Sequence, residues 1–227
     1  MIISKLKFSL YAPIIVASLI IGMVYVYKNV KKEGVKDKNV LLFFLMYISF
    51  ALIFGKMYTM ITSNNTNILT AGLSSYGGLI GVVFASIVFE LMLPLKGVIK
   101  KYSILSLPLV YGLSKIACFI SGCCGGIPYN GLFKVKYPHM QNIWQFPIQI
   151  VETIVCLIVF FICHKYRNNK NINYYVLILV SFIKFSLDFL RYDHVKVIIT
   201  SNQMFSIVLL VGTIIVYIFN RFRKVTE

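Results

Sequence analysis

Seven ionisable side chains stand inside otherwise apolar runs of this sequence: Lys56, Glu90, Lys115, Glu152, Lys184, Asp188 and Arg191. A charge at bilayer depth costs from about 2.5 kcal/mol upward, so such groups face a cavity, a partner or a substrate. Lys56 lies about one turn from an outer run end and Glu90 near a cytoplasmic one, where a long side chain snorkels to the interface. Lys115 sits mid-run and needs a partner to keep its charge. Glu152 closes the stretch Pro147-Ile148-Gln149-Ile150-Val151-Glu152. Gln149 and Glu152 are i, i+3 on one helical face, which places an amide beside a carboxylate in a hydrogen-bonded polar site. Lys184, Asp188 and Arg191 follow i, i+4, i+7, so Asp188 pairs with either cation. That pairing is structural on one reading. On the other it holds a phosphate-bearing headgroup, since a guanidinium grips phosphate oxygens bidentately.

Small residues and thiols form the remaining candidates. Ser75-Tyr76-Gly77-Gly78-Leu79-Ile80-Gly81 opens an apolar run. Small residues at i, i+3 let helix backbones approach closely, and bared N–H groups at a helix start also suit a phosphate. Cys118-Phe119-Ile120-Ser121-Gly122-Cys123-Cys124-Gly125-Gly126 ends another run, its glycines stopping the helix and its thiols gathering near the surface. Adjacent cysteines seldom bond each other, because the bridge is strained. A metal site on these thiols is the minor reading, because no histidine stands at the short spacing of zinc motifs. Cys118, Cys123 and Cys124 read first as buried inert thiols, as do Cys156 and Cys163.

The elements that must position these groups follow from composition. Of 227 residues 59% are hydrophobic and 13% charged, with a mean hydropathy of +0.81, against roughly 25% charged in a soluble domain. A soluble globule is excluded. Apolar runs of spanning length occupy residues 6–27, 40–61, 73–95, 102–121, 147–163, 174–191 and 203–219. The expected fold is an all-α polytopic bundle of about seven transmembrane helices, one domain over residues 1–227. Lys5 and Lys7 precede the first run as in a secretory signal, but no small-x-small cleavage site closes it and Lys28, Lys31, Lys32, Lys36 and Lys38 follow, so it reads as a retained span. Most basic residues lie after the first, third and fifth spans and in the C-terminal tail. The positive-inside rule then puts the N-terminus outside, the C-terminus in the cytoplasm and the connection 122–146 on the outer face, with Tyr129, Tyr137 and Trp144 as an interfacial belt. The net charge of +16 reads as orientation signals and attraction to anionic lipid rather than to nucleic acid.

Taken in order, Tyr76-Gly77-Gly78-Leu79-Ile80-Gly81, Lys115-Ile116-Ala117-Cys118-Phe119-Ile120-Ser121-Gly122, Phe146-Pro147-Ile148-Gln149-Ile150-Val151-Glu152 and Asp188-Phe189-Leu190-Arg191 resemble the prolipoprotein diacylglyceryl transferase family. Asn202-Gln203-Met204-Phe205-Ser206 looks like that family's Gly-Gln-x-x-Ser pattern. The resemblance implies a cell-membrane enzyme of bacterial lipoprotein biosynthesis, in the inner membrane. It would move the diacylglyceryl group of phosphatidylglycerol onto the cysteine thiol of a lipoprotein precursor, with no metal or organic cofactor. A thiolate would attack the glyceryl carbon as a glycerol phosphate departs, so the site needs a base and fixed positive charge. Lys115 and Arg191 are the phosphate-stabilising candidates. Gly77, Gly78, Gly122 and Asp188 belong to headgroup binding, and Glu152, held by Gln149, orients Lys115 or accepts a proton.

The chain also departs from that family, whose members typically carry His for Tyr76, Arg for Lys115, Asn for Cys118, Glu for Cys123 and His for Phe146. Lys is not the phosphate fork that Arg is. Tyr76 replaces a histidine by hydrogen bonding, but an ordinary pKa near 10 makes it a weak base. A thiol beside a lysine is activated, so Cys118 and Cys123 are candidates for a covalent relay or an oxidisable lock. Two other readings stay open: a small transporter or thiol-handling membrane protein using Cys118, Cys123 and Cys124, and a catalytically inactive lipid-binding relative.

Overall fold

The computed structural model describes residues 10–63, 67, 72–93, 97–137, 143–195 and 197–226, side chains excepted at 195 and 223–226. Seven α-helices run through them: α1 (Tyr11–Lys32), α2 (Asp37–Ser63), α3 (Ser75–Met92), α4 (Val98–Ser121), α5 (Ile148–Lys165), α6 (Ile172–Asp188) and α7 (Ser201–Thr226). Each matches one apolar run of the sequence. All but α6, which has 17 residues, are long and apolar enough to span a bilayer. The expected ends of the first and third spans, 6–9 and 94–95, lie outside the described residues. Two compact units divide the chain, Ile20–Leu107 and Met1–Leu19 with Pro108–Glu227.

In the first unit, glycine sets the α2–α3 distance. A Cβ on Gly77 would stand 2.2 Å from the Phe54 carbonyl oxygen, and one on Gly81 2.3 Å from that of Phe50. The operative spacing is thus i, i+4 through Gly77 and Gly81, rather than the i, i+3 read from sequence, because those two positions face α2. At Gly78 a Cβ would meet only the Ala51 oxygen, at 3.9 Å. Phe43 and Phe89 meet edge to face at 5.3 Å, and the buried hydroxyls of Ser86 and Ser103 lie 2.8 Å apart. Glu33, in the turn after α1, accepts hydrogen bonds from Tyr102 Oη at 3.0 Å and Lys101 Nζ at 3.2 Å. These bonds hold its carboxyl below the usual range. Glu90 has a defined partner: its Oε1 accepts from the Gly97 N–H at 2.6 Å, tying the end of α3 to the next turn.

In the second unit, α4 ends at Ser121, where Gly122 adopts φ +76°. The N–H groups of Gly122 and Cys123 then return to the Cys118 carbonyl at 3.0 and 3.1 Å, a left-handed stop that glycine adopts without steric cost. The connection to α5 carries a short antiparallel ribbon, β1 (Val135–Lys136) on β2 (Trp144–Gln145), which the apolar patterning does not signal. The Trp144 ring lies under Lys134 and Lys136, at 4.9 and 5.6 Å. Helix α6 stops at Asp188, short of the expected 191, because the chain beyond it pairs elsewhere. Leu190 accepts from the Ile127 N–H, Tyr192 donates to the Gly125 carbonyl, both at 3.0 Å, and Arg191 forms an isolated bridge with Gly126. Gly126 is needed there, since a Cβ would sit 2.3 Å from the Phe146 oxygen.

Candidate active site

The second unit gathers most of the expected polar residues around Glu152. This carboxylate lies just over one turn into α5 and is 3% exposed. Lys115 Nζ of α4 meets its Oε2 at 3.0 Å. Arg191 reaches its Oε1 at 2.8 Å from the segment after α6. The two cations therefore converge from separate elements, each holding one oxygen of a single buried acid. Arg191 Nε also lies 3.4 Å from Asp188 Oδ1. Asp188 is the more heavily engaged partner: Thr200 Oγ1 donates to its Oδ2 in a short hydrogen bond, and His194 Nε2 stands 3.6 Å from the same oxygen.

Tyr111, one turn before Lys115 on α4, is a central residue that sequence reasoning passed over. Its hydroxyl donates to Glu152 Oε1 at 2.8 Å. Its ring lies under Lys184 Nζ at 3.6 Å and Lys115 Nζ at 4.8 Å, so the aromatic face packs against both lysine side chains. Lys184 thus faces Tyr111, while Asp188 takes Arg191. The i, i+4 spacing of Tyr111 and Lys115 was a usable signal. Thr200 and His194 lacked one, because their approach to Asp188 depends on the turn after α6. Two buried cations, Lys115 and Arg191, are thus fixed on the two buried carboxylates, Glu152 and Asp188.

Gln149 braces the site from α5. It is fully buried, its Nε2 donates to the Cys123 carbonyl at 2.7 Å, and its Oε1 accepts from Tyr137 Oη at 3.2 Å. Burial pushes the Tyr137 phenol up to about 12, so it stays a donor at any working pH. Gly122 packs on the same ring, a Cβ there lying 3.0 Å from Tyr137 Cδ1. The free thiols of Cys118, Cys123 and Cys124 come together, their sulfurs within 4.8 Å of one another. Cys118 is buried and Cys124 exposed. Hydrogen bonds from Cys118 and Cys123, reinforced by the Lys115 and Arg191 charges, hold the Cys124 thiol below the ordinary thiol range. Cys156 and Cys163 are buried in α5.

Tyr76, Gly77 and Gly78 belong to the first unit. Ser74 Oγ caps the start of α3 by accepting from the Tyr76 N–H at 3.2 Å, and the Tyr76 ring stacks on Tyr58 at 6.1 Å. Gly77 makes its close approach to the α2 backbone, which is the packing role read from sequence.

A multi-helix membrane protein with buried cations fixed on an acid beside a thiol cluster is the class these features define. A family model described as prolipoprotein diacylglyceryl transferase matches residues 1–219. The chain belongs to the prolipoprotein diacylglyceryl transferase family, and is a membrane transferase. It is similar to the phosphatidylglycerol--prolipoprotein diacylglyceryl transferase of Clostridioides difficile (strain 630), at 24% identity over 92% of this chain and 89% of that relative.

Proposed function

We propose that this transferase moves a diacylglyceryl group from phosphatidylglycerol to the thiol of a cysteine in a lipoprotein precursor. It would act as one transmembrane domain of the bacterial inner membrane, with the N-terminus and the thiol cluster on the outer side. The observation that carries the reading is the convergence of Lys115 and Arg191 on Glu152. An attacking thiolate forms a C–S bond at the glyceryl carbon while the C–O bond to phosphate breaks, and the electron pair leaves on a glycerol phosphate. Negative charge grows on that phosphate, so cations fixed beforehand lower the barrier without reorganising. Glu152 holds both in place, with the Tyr111 hydroxyl donating to it. Asp188 keeps Arg191 aimed, Gln149 steadies the Cys123 carbonyl, and Gly122 lets the chain turn there. The roles of Gly78 in meeting the headgroup and of Tyr76 in supplying a hydroxyl are carried over from the family resemblance. Cys118 and Cys123 stand where an acceptor thiol would be handled.

The test is transfer from labelled phosphatidylglycerol to a cysteine peptide in bilayer discs. The wild type is expected to form the thioether, and Lys115→Ala and Arg191→Ala to lose roughly 100-fold or more, as for removal of a donor to a developing anion. Protein that binds the lipid yet labels no thiol from a panel of acceptors would sink the reading.

A further inference from the structure

The thiol cluster is held as a unit. Cys118 lies in the last turn of α4, and the Gly122 stop returns the Cys123 N–H to the Cys118 carbonyl at 3.1 Å. Gln149 fixes the Cys123 carbonyl, and Ser121 Oγ lies 3.3 Å from Cys123 Sγ. Cys124 has φ +56°, a left-handed conformation that is sterically unfavourable for a side-chain-bearing residue and persists where the surroundings impose it. Next in the chain, Gly125 and Gly126 are bound to the segment after α6. Three soft donors are thus presented by backbone that is pinned on both sides.

Tetrahedral Zn–S bonds of about 2.3 Å separate sulfurs by about 3.8 Å, and here all three lie within 4.8 Å. Closing the difference takes a small rotation of the thiols. Among the described residues the group consists of those three sulfurs, with no fourth His, Cys or carboxylate. A closed structural zinc site takes four protein ligands, whereas three leave a position for substrate. The exposed Cys124 puts that position on the accessible side.

The chemistry gives such a position a use. Transfer needs a thiolate, and the nearby carboxylates are engaged, Glu152 by Lys115, Arg191 and Tyr111 and Asp188 by Arg191, Thr200 and His194. A thiol bound to zinc is deprotonated outright. We propose that Cys118, Cys123 and Cys124 hold a zinc ion through three thiolates, and that the acceptor's cysteine sulfur takes the fourth position. This rests on the transferase reading. Coordination breaks the acceptor S–H bond and passes its proton to water. The sulfur then bonds the glyceryl carbon as the phosphate C–O bond breaks, the pair departs on glycerol phosphate, and the neutral thioether leaves the metal. Nothing is oxidised or reduced. Lys115 and Arg191 offset the negative charge of a four-thiolate centre.

The experiment takes the full chain, purified in detergent, with metal content by mass spectrometry, cobalt spectra and the transfer assay run on the same samples. Expected are one zinc per chain, its loss in Cys118→Ser, Cys123→Ser and Cys124→Ser, and its retention in Cys156→Ser. Cobalt-loaded protein should show sulfur-to-metal charge-transfer bands that shift with a cysteine peptide and not with its serine analogue. Stripping the metal should slow transfer roughly 100-fold, the scale of a lost general base, and zinc should restore it. Absence of stoichiometric metal, or bands indifferent to the cysteine peptide, overturns the proposal, and transfer that persists without metal leaves the transferase reading standing. Metal and shifting bands without any transfer support the metal–thiol site and count against the transferase reading instead.

Discussion

At the scale of single residues, Glu152 is the position from which the candidate site is organised. Removing one member of a buried ion pair leaves the other charge uncompensated, at about 3–5 kcal/mol, and Glu152 has two cationic partners. Glu152→Gln keeps the shape and removes the charge, so it should lower the thermal midpoint in detergent by several degrees and also suppress transfer. Midpoint and rate measured on one preparation check this, and an unchanged midpoint would mean that the ion pairs contribute little. Arg191→Lys should behave differently from Arg191→Ala. It retains a charge but cannot address Glu152 and Asp188 together, so a loss of about 10-fold or more in kcat is expected with the fold preserved. Full activity in Arg191→Lys would show that only a point charge is required.

At the scale of helices and turns, the paired glycines of α3 separate packing from binding. Gly77→Ala and Gly81→Ala force a Cβ onto α2 carbonyls and should destabilise by about 1–3 kcal/mol or more. Gly78→Ala has ordinary contact and should leave thermal stability unchanged. If it nonetheless weakens phosphatidylglycerol binding, Gly78 meets the headgroup; unchanged binding and rate would remove it from the site. The turn after α1 gives a pH effect. Glu33 has its carboxyl lowered by Tyr102 and Lys101, so the unfolded chain takes up the proton more readily. The tie is complete above the ordinary carboxylate value of about 4.3 and is lost as pH falls below it. Because Glu33 is partly exposed, the contribution is under about 1 kcal/mol. Thermal midpoints of the wild type and Glu33→Gln should differ slightly at neutral pH and converge in acid.

At the scale of the whole molecule, the distribution of basic residues predicts that the connection 122–146 lies on the outer face. Leu132, in the turn before β1, is 82% exposed. A membrane-impermeant maleimide should therefore label Leu132→Cys in intact cells above the level of the parent chain, and a reporter fused at the C-terminus should stay cytoplasmic. Labelling only after permeabilisation would invert the topology.

The amino-acid sequence determined the helices and named most of the polar cluster. Apolar runs of spanning length have few other solutions in a bilayer, since each backbone polar group must be satisfied within the segment. Buried charges are too costly to occur idly, which is why Lys115, Glu152 and Arg191 could be singled out unaided. Pairing was another matter. That Glu152 takes both cations, that Tyr111 lies beneath two lysines, and that Arg191 leaves α6 to bridge Gly126 follow from residues far apart in the chain. Periodicity describes one helix at a time and says nothing of which faces meet. The same holds for the thiols: their sequence spacing brought them near one helix end, but only the turn through Gly122 and Cys124, both at positive φ, decided that three sulfurs lie within 4.8 Å of one another.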